Sequence, residues 1–276
     1  MIEFAERMAT ADTADRLKTA PLRGVFAYRT LLKYLVLKEI KVKSRGTYLG
    51  VAWTLMNPLF TIVVYFVLFH YIFRIQIPDF LAFFLLGFLM WVFFSRAITG
   101  AATCIVENDS MIKRSMIPLE ILPITVVLYH LFHHVIAVSI ALPFMFALWG
   151  AKMSWHVLWA VVVLTAFAGF TLAVSLWLAT TGVFFRDTRD ILEVAMPVLF
   201  WATPIFYSTD MAPPVLRPVL QANPLSSFIG VMRAAVVEGR APGAVQVGVM
   251  TTWLVLTLTS GIWVFMRYQP RFAEEA

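Results

Sequence analysis

Long uncharged stretches alternate with short polar ones along most of this chain. Residues 46–73, 121–151 and 155–185 carry no formal charge, and each stretch is long enough to cross a bilayer as a helix. The whole pattern predicts six spans, at about residues 50–73, 80–106, 119–149, 155–185, 191–209 and 243–266. We therefore expect an all-α membrane protein with its membrane domain in residues 46–268.

Both ends of the chain are more polar than its middle. Residues 1–27 form one predicted cytoplasmic tail and residues 269–276 form another. Between the first tail and the first span, residues 28–45 place Lys38 and Lys41 on one helical face and leucines on another. This pattern favours an amphipathic helix lying in the membrane interface, although a basic flank of the first span explains it as well.

The stretch between the fifth and sixth predicted spans is rich in proline. It contains an apolar segment, residues 218–232, which Arg217 and Arg233 bracket. At about 1.5 Å per residue this segment reaches about 22 Å, which falls short of the ~30 Å hydrocarbon core. We therefore expect re-entrant helices between spans five and six instead of a further crossing.

Composition supports the membrane assignment, and charge gives it an orientation. The 276-residue chain is 61% hydrophobic and only 14% charged, whereas soluble domains are far more polar. Sixteen lysines and arginines fall on the side of the two tails and five on the other side, with Arg96 inside a span. The positive-inside rule therefore places both termini in the cytoplasm. There the basic excess faces anionic lipid, and we expect membrane lipids and no nucleic acid as partners.

No pattern of catalytic residues accompanies these spans. The chain lacks a Walker A loop, a G-x-S-x-G elbow and an HExxH motif, and its predicted spans hold essentially no carboxylates. His130, His133 and His134 form an HxxHH run that suits a di-iron enzyme, but five histidines in all are too few for such a site. We expect no enzyme activity, no metal and no cofactor, with these histidines packing or lining a polar seam.

Two features of the second predicted span suggest a path for a substrate. Arg96 lies in mid-span, where an arginine costs about 2.5–3.5 kcal/mol, so it must face protein or a water-filled space. It either pairs with Glu107 or lines a path for an anionic or sugar-rich substrate. The aromatic stripe of Phe84, Phe88 and Trp91 either packs against lipid and protein or stacks sugar rings.

Three polar segments on the cytoplasmic side offer contacts for a partner. They are the helix of residues 28–45, residues 107–117 (ENDSMIKRSMI) and residues 185–191 (FRDTRDI). Because the chain has no nucleotide-binding motif, an ATP-driven function needs a separate ATPase that contacts such segments. Ordinary loops explain the same pattern without a partner.

Several long motifs, in this order along the chain, are similar to those of one transporter family. The most specific are GVFFRDTRDI and LFWATPIFYSTDMAPP, and KYLVLKEIKVKSRGTYLGVAWTLMNPL, ENDSMIKRSMIPLEILP and NPLSSFIGVMRAAV support them. Over residues 28–268 the chain resembles the permease subunits of ABC exporters for lipid-linked polysaccharides, above all the O-antigen (Wzm-like) permeases. Teichoic-acid and capsule exporter permeases are their relatives.

The resemblance implies a multi-pass protein of the bacterial cytoplasmic (inner) membrane. It would work as a homodimer on two ABC ATPase subunits. A lipid-linked polysaccharide of the O-antigen, capsular or teichoic-acid type would pass through a channel between the two copies. By the match of motifs, residues 108–118 form the main ATPase-coupling helix, residues 186–190 a second contact and residues 223–233 part of the periplasmic gate.

Motifs and residue types together give three sets of candidate site residues. The ATPase-coupling set is Asn108, Asp109, Ser110, Met111, Ile112, Lys113, Arg114, Arg186, Asp187, Arg189 and Asp190. The channel-lining set is Asn57, Phe84, Phe88, Trp91 and Arg96. The periplasmic gate set is Pro204, Tyr207, Asn223, Pro224 and Arg233.

Two other functions stay open at this point. An ABC exporter permease for a small hydrophobic drug or lipid would share the spans and cytoplasmic segments, but it would hold its substrate in a closed pocket. A membrane-embedded enzyme of lipid or glycan modification would depend on the histidine run. The sequence is compatible with several polymers and several lipid anchors.

Overall fold

A computed structural model describes residues 28–44, 52–74, 77–108, 118–149 and 154–272. Within these ranges the regular structure is helical, which confirms the predicted all-α class for the described part of the chain. The α-helices there are α1 (Arg29–Ser44), α2 (Ala52–Phe66), α3 (Phe80–Thr103), α4 (Ile121–Trp149), α5 (Leu158–Phe184), α6 (Thr188–Trp201), α7 (Arg217–Ala222), α8 (Pro224–Val236) and α9 (Ala244–Tyr268).

Four of the described helices, α3, α4, α5 and α9, are long and apolar enough to cross a membrane. They lie at the second, third, fourth and sixth predicted spans. The first predicted span contains α2, which passes through Pro58 without ending and continues as a π-helix from Val67 to Ile72. The total of six spans and the side on which the termini lie stay predictions.

Helical structure ends before the predicted end of the fifth span at residue 209. Helix α6 ends at Trp201. Pro204 has no backbone N–H to donate and disfavours helical geometry at Thr203, which favours a helix end just before it. Residues 202–208 are irregular, with the Ile205 amide donating to the Thr203 carbonyl at 2.7 Å.

The apolar segment of residues 218–232 forms parts of two helices, α7 and α8. Asn223 separates them with an extended backbone (φ −63°, ψ 122°), as the following proline favours. Its side-chain oxygen accepts a 3.0 Å hydrogen bond from the Leu225 amide and so caps α8. The 13 residues of α8 reach about 20 Å, which is too short for a crossing.

Helix α3 forms the centre of the bundle. Of its apolar span 72% is buried, compared with 39% for α4, 33% for α5 and 22% for α9. It packs against α2, α4, α5, α6 and α8, while α9 covers α5 and α1 lies against α4. Because α3 is covered on all these sides, its residues position most of the site described below.

Two glycines let three of these helices approach backbone to backbone. A Cβ atom on Gly182 of α5 would lie 1.8 Å from the carbonyl oxygen of Ala102 on α3. A Cβ atom on Gly261 of α9 would lie 2.5 Å from the carbonyl oxygen of Ala173 on α5. Helices in membranes gain van der Waals contact through such small residues, so α3, α5 and α9 form a closely packed core.

Candidate functional site

An open cleft of 640 Å³ lies between α2, α3, α4 and α6. One part of its lining is aromatic and another part is polar. The aromatic part comprises Tyr65, Phe88, Trp91, Phe200 and Trp201; the polar part comprises Ser95, Arg96, Thr99 and His130; Gly100, Met196 and Pro197 complete the wall.

Contacts between rings hold the aromatic part in place. Tyr65 meets Phe84 and Phe88 edge to face, with 6.0 Å between ring centroids in both pairs, and stacks on Phe200 at 6.1 Å. The Trp91 ring lies 5.4 Å from that of Phe200. Aromatic pairs of this geometry add about 0.5–1.5 kcal/mol each to simple burial, so the wall is well ordered.

The structure divides the predicted channel-lining residues. Phe88, Trp91 and Arg96 line the cleft. Phe84 is fully buried in the core beneath Tyr65 and has no surface in the cleft. Asn57 belongs to α2, but its side chain lies outside the described part of the structure. Lining a channel stays a prediction for this set.

Arg96 does not pair with Glu107, which was the structural alternative to a role in the cleft. Glu107 is exposed on the 3₁₀ turn Val106–Asn108 beyond the end of α3. Among the described residues, Arg96 has neither a hydrogen bond nor a salt bridge. A charged guanidinium in an apolar helix therefore faces the cleft, with Tyr129 of α4 as an electrostatic neighbour.

The irregular segment after α6 is held by the N-terminal end of α8. The Nδ2 atom of Asn223 donates to the Ala202 carbonyl at 3.2 Å and lies 3.1 Å from the Thr203 hydroxyl oxygen. Thr203 is fully buried. Since Asn223 also caps α8, one side chain fixes both the end of α6 and the start of α8.

Arg233, near the C-terminal end of α8, holds the same segment from the other side. Its Nη1 donates to the Pro204 carbonyl at 2.7 Å and its Nη2 to the Ile205 carbonyl at 2.6 Å. Its Nε donates to the Phe83 carbonyl at 3.0 Å, and the guanidinium carbon lies 3.3 Å from the Phe83 ring centroid. Arg233 is therefore a buried connection between α3, α8 and the predicted gate.

The remaining two gate candidates flank this network. The Tyr207 hydroxyl donates to the Trp201 carbonyl at 3.0 Å, which closes the irregular segment onto the end of α6. Pro224 is the first residue of α8, a position where its missing N–H costs nothing. All five predicted gate residues thus lie in or next to one connected structure, and their gating role stays a prediction.

The predicted cytoplasmic elbow between α5 and α6 is short and exposed. The buried Thr188 donates its hydroxyl to the Phe185 carbonyl at 2.6 Å, which fixes the turn from inside. Arg189 pairs with Glu193 at 3.4 Å on the surface, a contact worth little stability. Among the described residues, the exposed side chains of Arg186 and Asp187 have no such partner.

The other predicted coupling segment is described only at its first residue. Asn108 donates its Nδ2 to the Cys104 carbonyl at 2.8 Å and closes the C-terminal end of α3. Six predicted coupling residues lie outside the described part of the chain: Asp109, Ser110, Met111, Ile112, Lys113 and Arg114.

The three neighbouring histidines of α4 do not converge. His130 lines the cleft, whereas His133 donates its Nδ1 to the Tyr129 carbonyl at 2.8 Å. His134 is buried beside Phe93, with 5.2 Å between ring centroids. Over the described residues, no three His, Cys, Asp or Glu side chains are placed to hold a metal. This geometry gives no support to a metal-dependent enzyme.

Comparison with known proteins places the chain in a family. Residues 30–237 match the model of the ABC-2 type transporter family. The chain belongs to this family. It is 32% identical over 255 residues to the O-antigen export system permease protein RfbA of Myxococcus xanthus, covering 92% of this chain and 98% of the relative. A protein of the same name from Klebsiella pneumoniae is 27% identical over 245 residues, covering 88% and 94%.

A third relative extends the similarity beyond O-antigen systems. The polysialic acid transport protein KpsM of Escherichia coli is 21% identical over 245 residues, with 87% of this chain and 93% of the relative covered. Together these matches confirm the resemblance to polysaccharide export permeases that the motifs indicated. As a member of the family with several apolar helices, the chain is a multi-pass inner-membrane protein.

Several cleft residues of this ABC-2 permease were missed in the sequence. Ser95 and Thr99 continue the face of Phe88 and Trp91 at helical spacing, and that spacing was a usable signal. Tyr65 lies on α2, and no spacing along one helix relates it to α3. Phe200 and Trp201 are in the FWATPIFY motif, which drew attention only as the approach to the gate; both line the cleft.

Proposed function

We propose that this ABC-2 permease exports a lipid-linked polysaccharide of the O-antigen, capsular or teichoic-acid type across the bacterial cytoplasmic membrane. The open cleft of 640 Å³ with its aromatic wall carries the proposal, in a chain similar to O-antigen permeases over most of its length. Sugar rings present apolar faces that stack on aromatic side chains. A cleft that is open accommodates a long chain, which a closed pocket excludes.

A second copy of the chain completes the channel in this proposal. Helices α2 and α6 form two walls of the cleft and also present exposed apolar side chains, among them Val64 and Val198. An exposed apolar surface next to a polar cleft suits a protein partner as well as lipid. The homodimer would enclose the polymer between two such surfaces.

Six crossings with both termini in the cytoplasm make up the proposed topology. Helices α3, α4, α5 and α9 supply four of them, and α2 with its π-helical continuation supplies the first. Helix α6 and the irregular segment after it supply the fifth. Helices α7 and α8 then re-enter the membrane from the periplasmic side, where the Asn223 and Arg233 network forms the gate.

A separate ABC ATPase supplies the energy in this proposal, with two ATPase subunits for two permeases. The family name and the similarity to export permeases support such a partner. On this chain the contact would run through residues 108–118 and through the elbow at Arg186, Asp187, Arg189 and Asp190. Exposed charges of both signs in that elbow suit a polar, reversible contact.

Deleting the gene in its native host tests the substrate class. Loss of surface polysaccharide, with lipid-linked polymer accumulating inside, is expected. Normal surface polysaccharide together with altered sensitivity to apolar compounds would instead favour the small-molecule exporter.

Complementation with two tryptophan variants connects the result to the cleft. Trp201→Ala removes an exposed ring from the cleft, and we expect it to reduce surface polymer by about threefold or more. Trp263→Ala removes a similarly exposed ring from α9, outside the cleft, and should leave export unchanged. Equal export by both variants would contradict a role for the aromatic wall.

A further inference from the structure

Arg96 is the only charged residue of α3, and it lies half-buried in the wall of the cleft. Over the described ranges it makes no hydrogen bond and no salt bridge. A cation in apolar surroundings is unfavourable unless it is paired or solvated. A ligand that brings negative charge into the cleft would therefore be stabilised at this position.

A second donor beside Arg96 is also free. Thr99 lies three residues further along α3, so the two side chains are neighbours on the helix surface. Buried threonines elsewhere in the bundle, such as Thr171 and Thr180, donate to the carbonyl four residues earlier. The Thr99 hydroxyl has no hydrogen bond to any described residue, and Thr99 lines the cleft.

The imidazole of His130 is a third polar group next to these two. Its Nε2 atom lies 3.8 Å from the position that a Cβ on Gly100 would occupy. This is an ordinary van der Waals distance, so the imidazole of α4 lies beside α3 at Gly100. The cleft thus gathers a guanidinium, a hydroxyl and an imidazole within about one helical turn.

The polar group lies toward one end of the cleft. Arg96 follows Phe88 by eight residues, or about 12 Å along the helix axis, and precedes the end of α3 at Thr103 by about 10 Å. The chain leaves α3 toward the predicted cytoplasmic segment of residues 107–117. An anion bound at Arg96 therefore lies on the cytoplasmic side of the aromatic wall.

We propose that Arg96 and Thr99 bind a phosphate ester, at the point where a lipid anchor joins its glycan. Phosphate offers several acceptor oxygens, which match the planar donor fork of arginine together with a neighbouring hydroxyl. The open cleft allows a lipid tail to remain in the bilayer while sugars meet the aromatic rings. This inference rests on the proposed function, because it assumes a lipid-linked substrate.

Binding of farnesyl diphosphate to the purified full-length protein in nanodiscs tests the site. Two control ligands separate the lipid from the anion. Farnesol has the same lipid chain without the charge, and inorganic diphosphate has the anion without the lipid. Arg96→Gln keeps much of the side-chain length and removes the charge, while Arg267→Gln removes an exposed arginine outside the cleft, at the C-terminal end of α9. We expect Arg96→Gln to lower the affinity for farnesyl diphosphate at least about tenfold and to leave the affinity for farnesol unchanged. Arg267→Gln should bind both compounds as the wild type does.

Three results would overturn the inference. The first is equal affinity of the wild type and Arg96→Gln for farnesyl diphosphate. The second is inorganic diphosphate binding as tightly as farnesyl diphosphate, which would indicate a site for the free anion. The third is loss of binding when phosphatidylglycerol replaces phosphatidylcholine in the nanodisc, which would indicate a site for any anionic headgroup.

A further variant keeps the test decisive if Arg96→Gln does not fold. In Thr99→Val the side chain keeps nearly the same shape and loses only the hydroxyl, so the affinity for farnesyl diphosphate should fall about threefold. Unchanged affinity would then refute the site.

The deletion experiment tests the export function independently of this site. Normal surface polysaccharide with Arg96-dependent binding would refute the export function alone, and lost polysaccharide with Arg96-independent binding would refute this site alone.

Discussion

The Nη2 atom of Arg233 donates a 2.6 Å hydrogen bond to the carbonyl oxygen of Ile205, on the irregular segment that follows α6. The same side chain also serves the carbonyls of Pro204 and Phe83. A non-helical backbone surrounded by apolar residues needs donors from elsewhere in the protein, since no water reaches it. One buried guanidinium supplies two of them, to Pro204 and Ile205, and its third hydrogen bond goes to Phe83 on α3.

Replacing Arg233 with methionine should destabilise the protein strongly. Methionine has a comparable length but no donor, so the buried carbonyls of Pro204 and Ile205 would lose this partner, at a cost of about 1–3 kcal/mol each. We expect a clear drop in the thermal unfolding midpoint in detergent. Arg240→Met, at an exposed position paired only with Glu238 on the surface, should change stability by less than about 0.5 kcal/mol. Similar midpoints for both variants would refute the structural role.

Replacing Gly182 with alanine should disturb the contact between α5 and α3. The new Cβ would lie 1.8 Å from the Ala102 carbonyl oxygen, a backbone atom that only a shift of the whole helix could remove. Gly248 on α9 is the matched control, because a Cβ added there would meet no described atom within 4 Å and alanine favours helix by up to about 1 kcal/mol. Size-exclusion profiles and unfolding midpoints should show loss for Gly182→Ala and none for Gly248→Ala. Tolerance of both would contradict the close approach.

The charged elbow should affect coupling to the ATPase without affecting the fold. Arg186→Ala and Asp187→Ala remove exposed side chains with no partner among the described residues, so the unfolding midpoint should stay within the wild-type range. In the reconstituted exporter we expect either change to lower substrate-stimulated ATP hydrolysis by about threefold or more, because polar contacts at an interface would be lost. Arg240→Ala, which removes an exposed arginine between α8 and α9, provides the comparison. Unchanged stimulation and unchanged assembly would exclude the elbow as a contact.

The long spans could be predicted from the sequence because each is one uninterrupted apolar stretch. Helices α4, α5 and α9 begin and end within a few residues of their predicted bounds. The end of α6 at Trp201 could not be deduced from the apolar pattern, although Pro204 was visible in the sequence. Apolar character continued to residue 209, and the donors that allow an irregular backbone there come from α8, a distant part of the chain.

The aromatic stripe of α3 shows the corresponding limit for the site. Phe84, Phe88 and Trp91 lie close to one helical face, so spacing predicted that all three would have the same surroundings. Phe84 is fully buried whereas Phe88 and Trp91 line the cleft, although Tyr65 contacts Phe84 and Phe88 alike. Which rings reach the cleft depends on how the other helices pack around α3. The position of Arg96 at the cleft could be predicted from the residue alone, because its charge excludes it from a dry core.

The contact of Gly182 with Ala102 has a mechanical consequence for the two cytoplasmic segments. Gly182 lies just before the elbow at Phe185, and Ala102 lies just before the turn at Val106–Asn108. Both proposed attachment points for the ATPase therefore start from the same joint. A substitution that separates α3 from α5 at this contact should therefore affect both proposed attachment points together. In the proposed exporter, conformational change in the ATPase would reach the permease through two segments that begin at the same contact between helices.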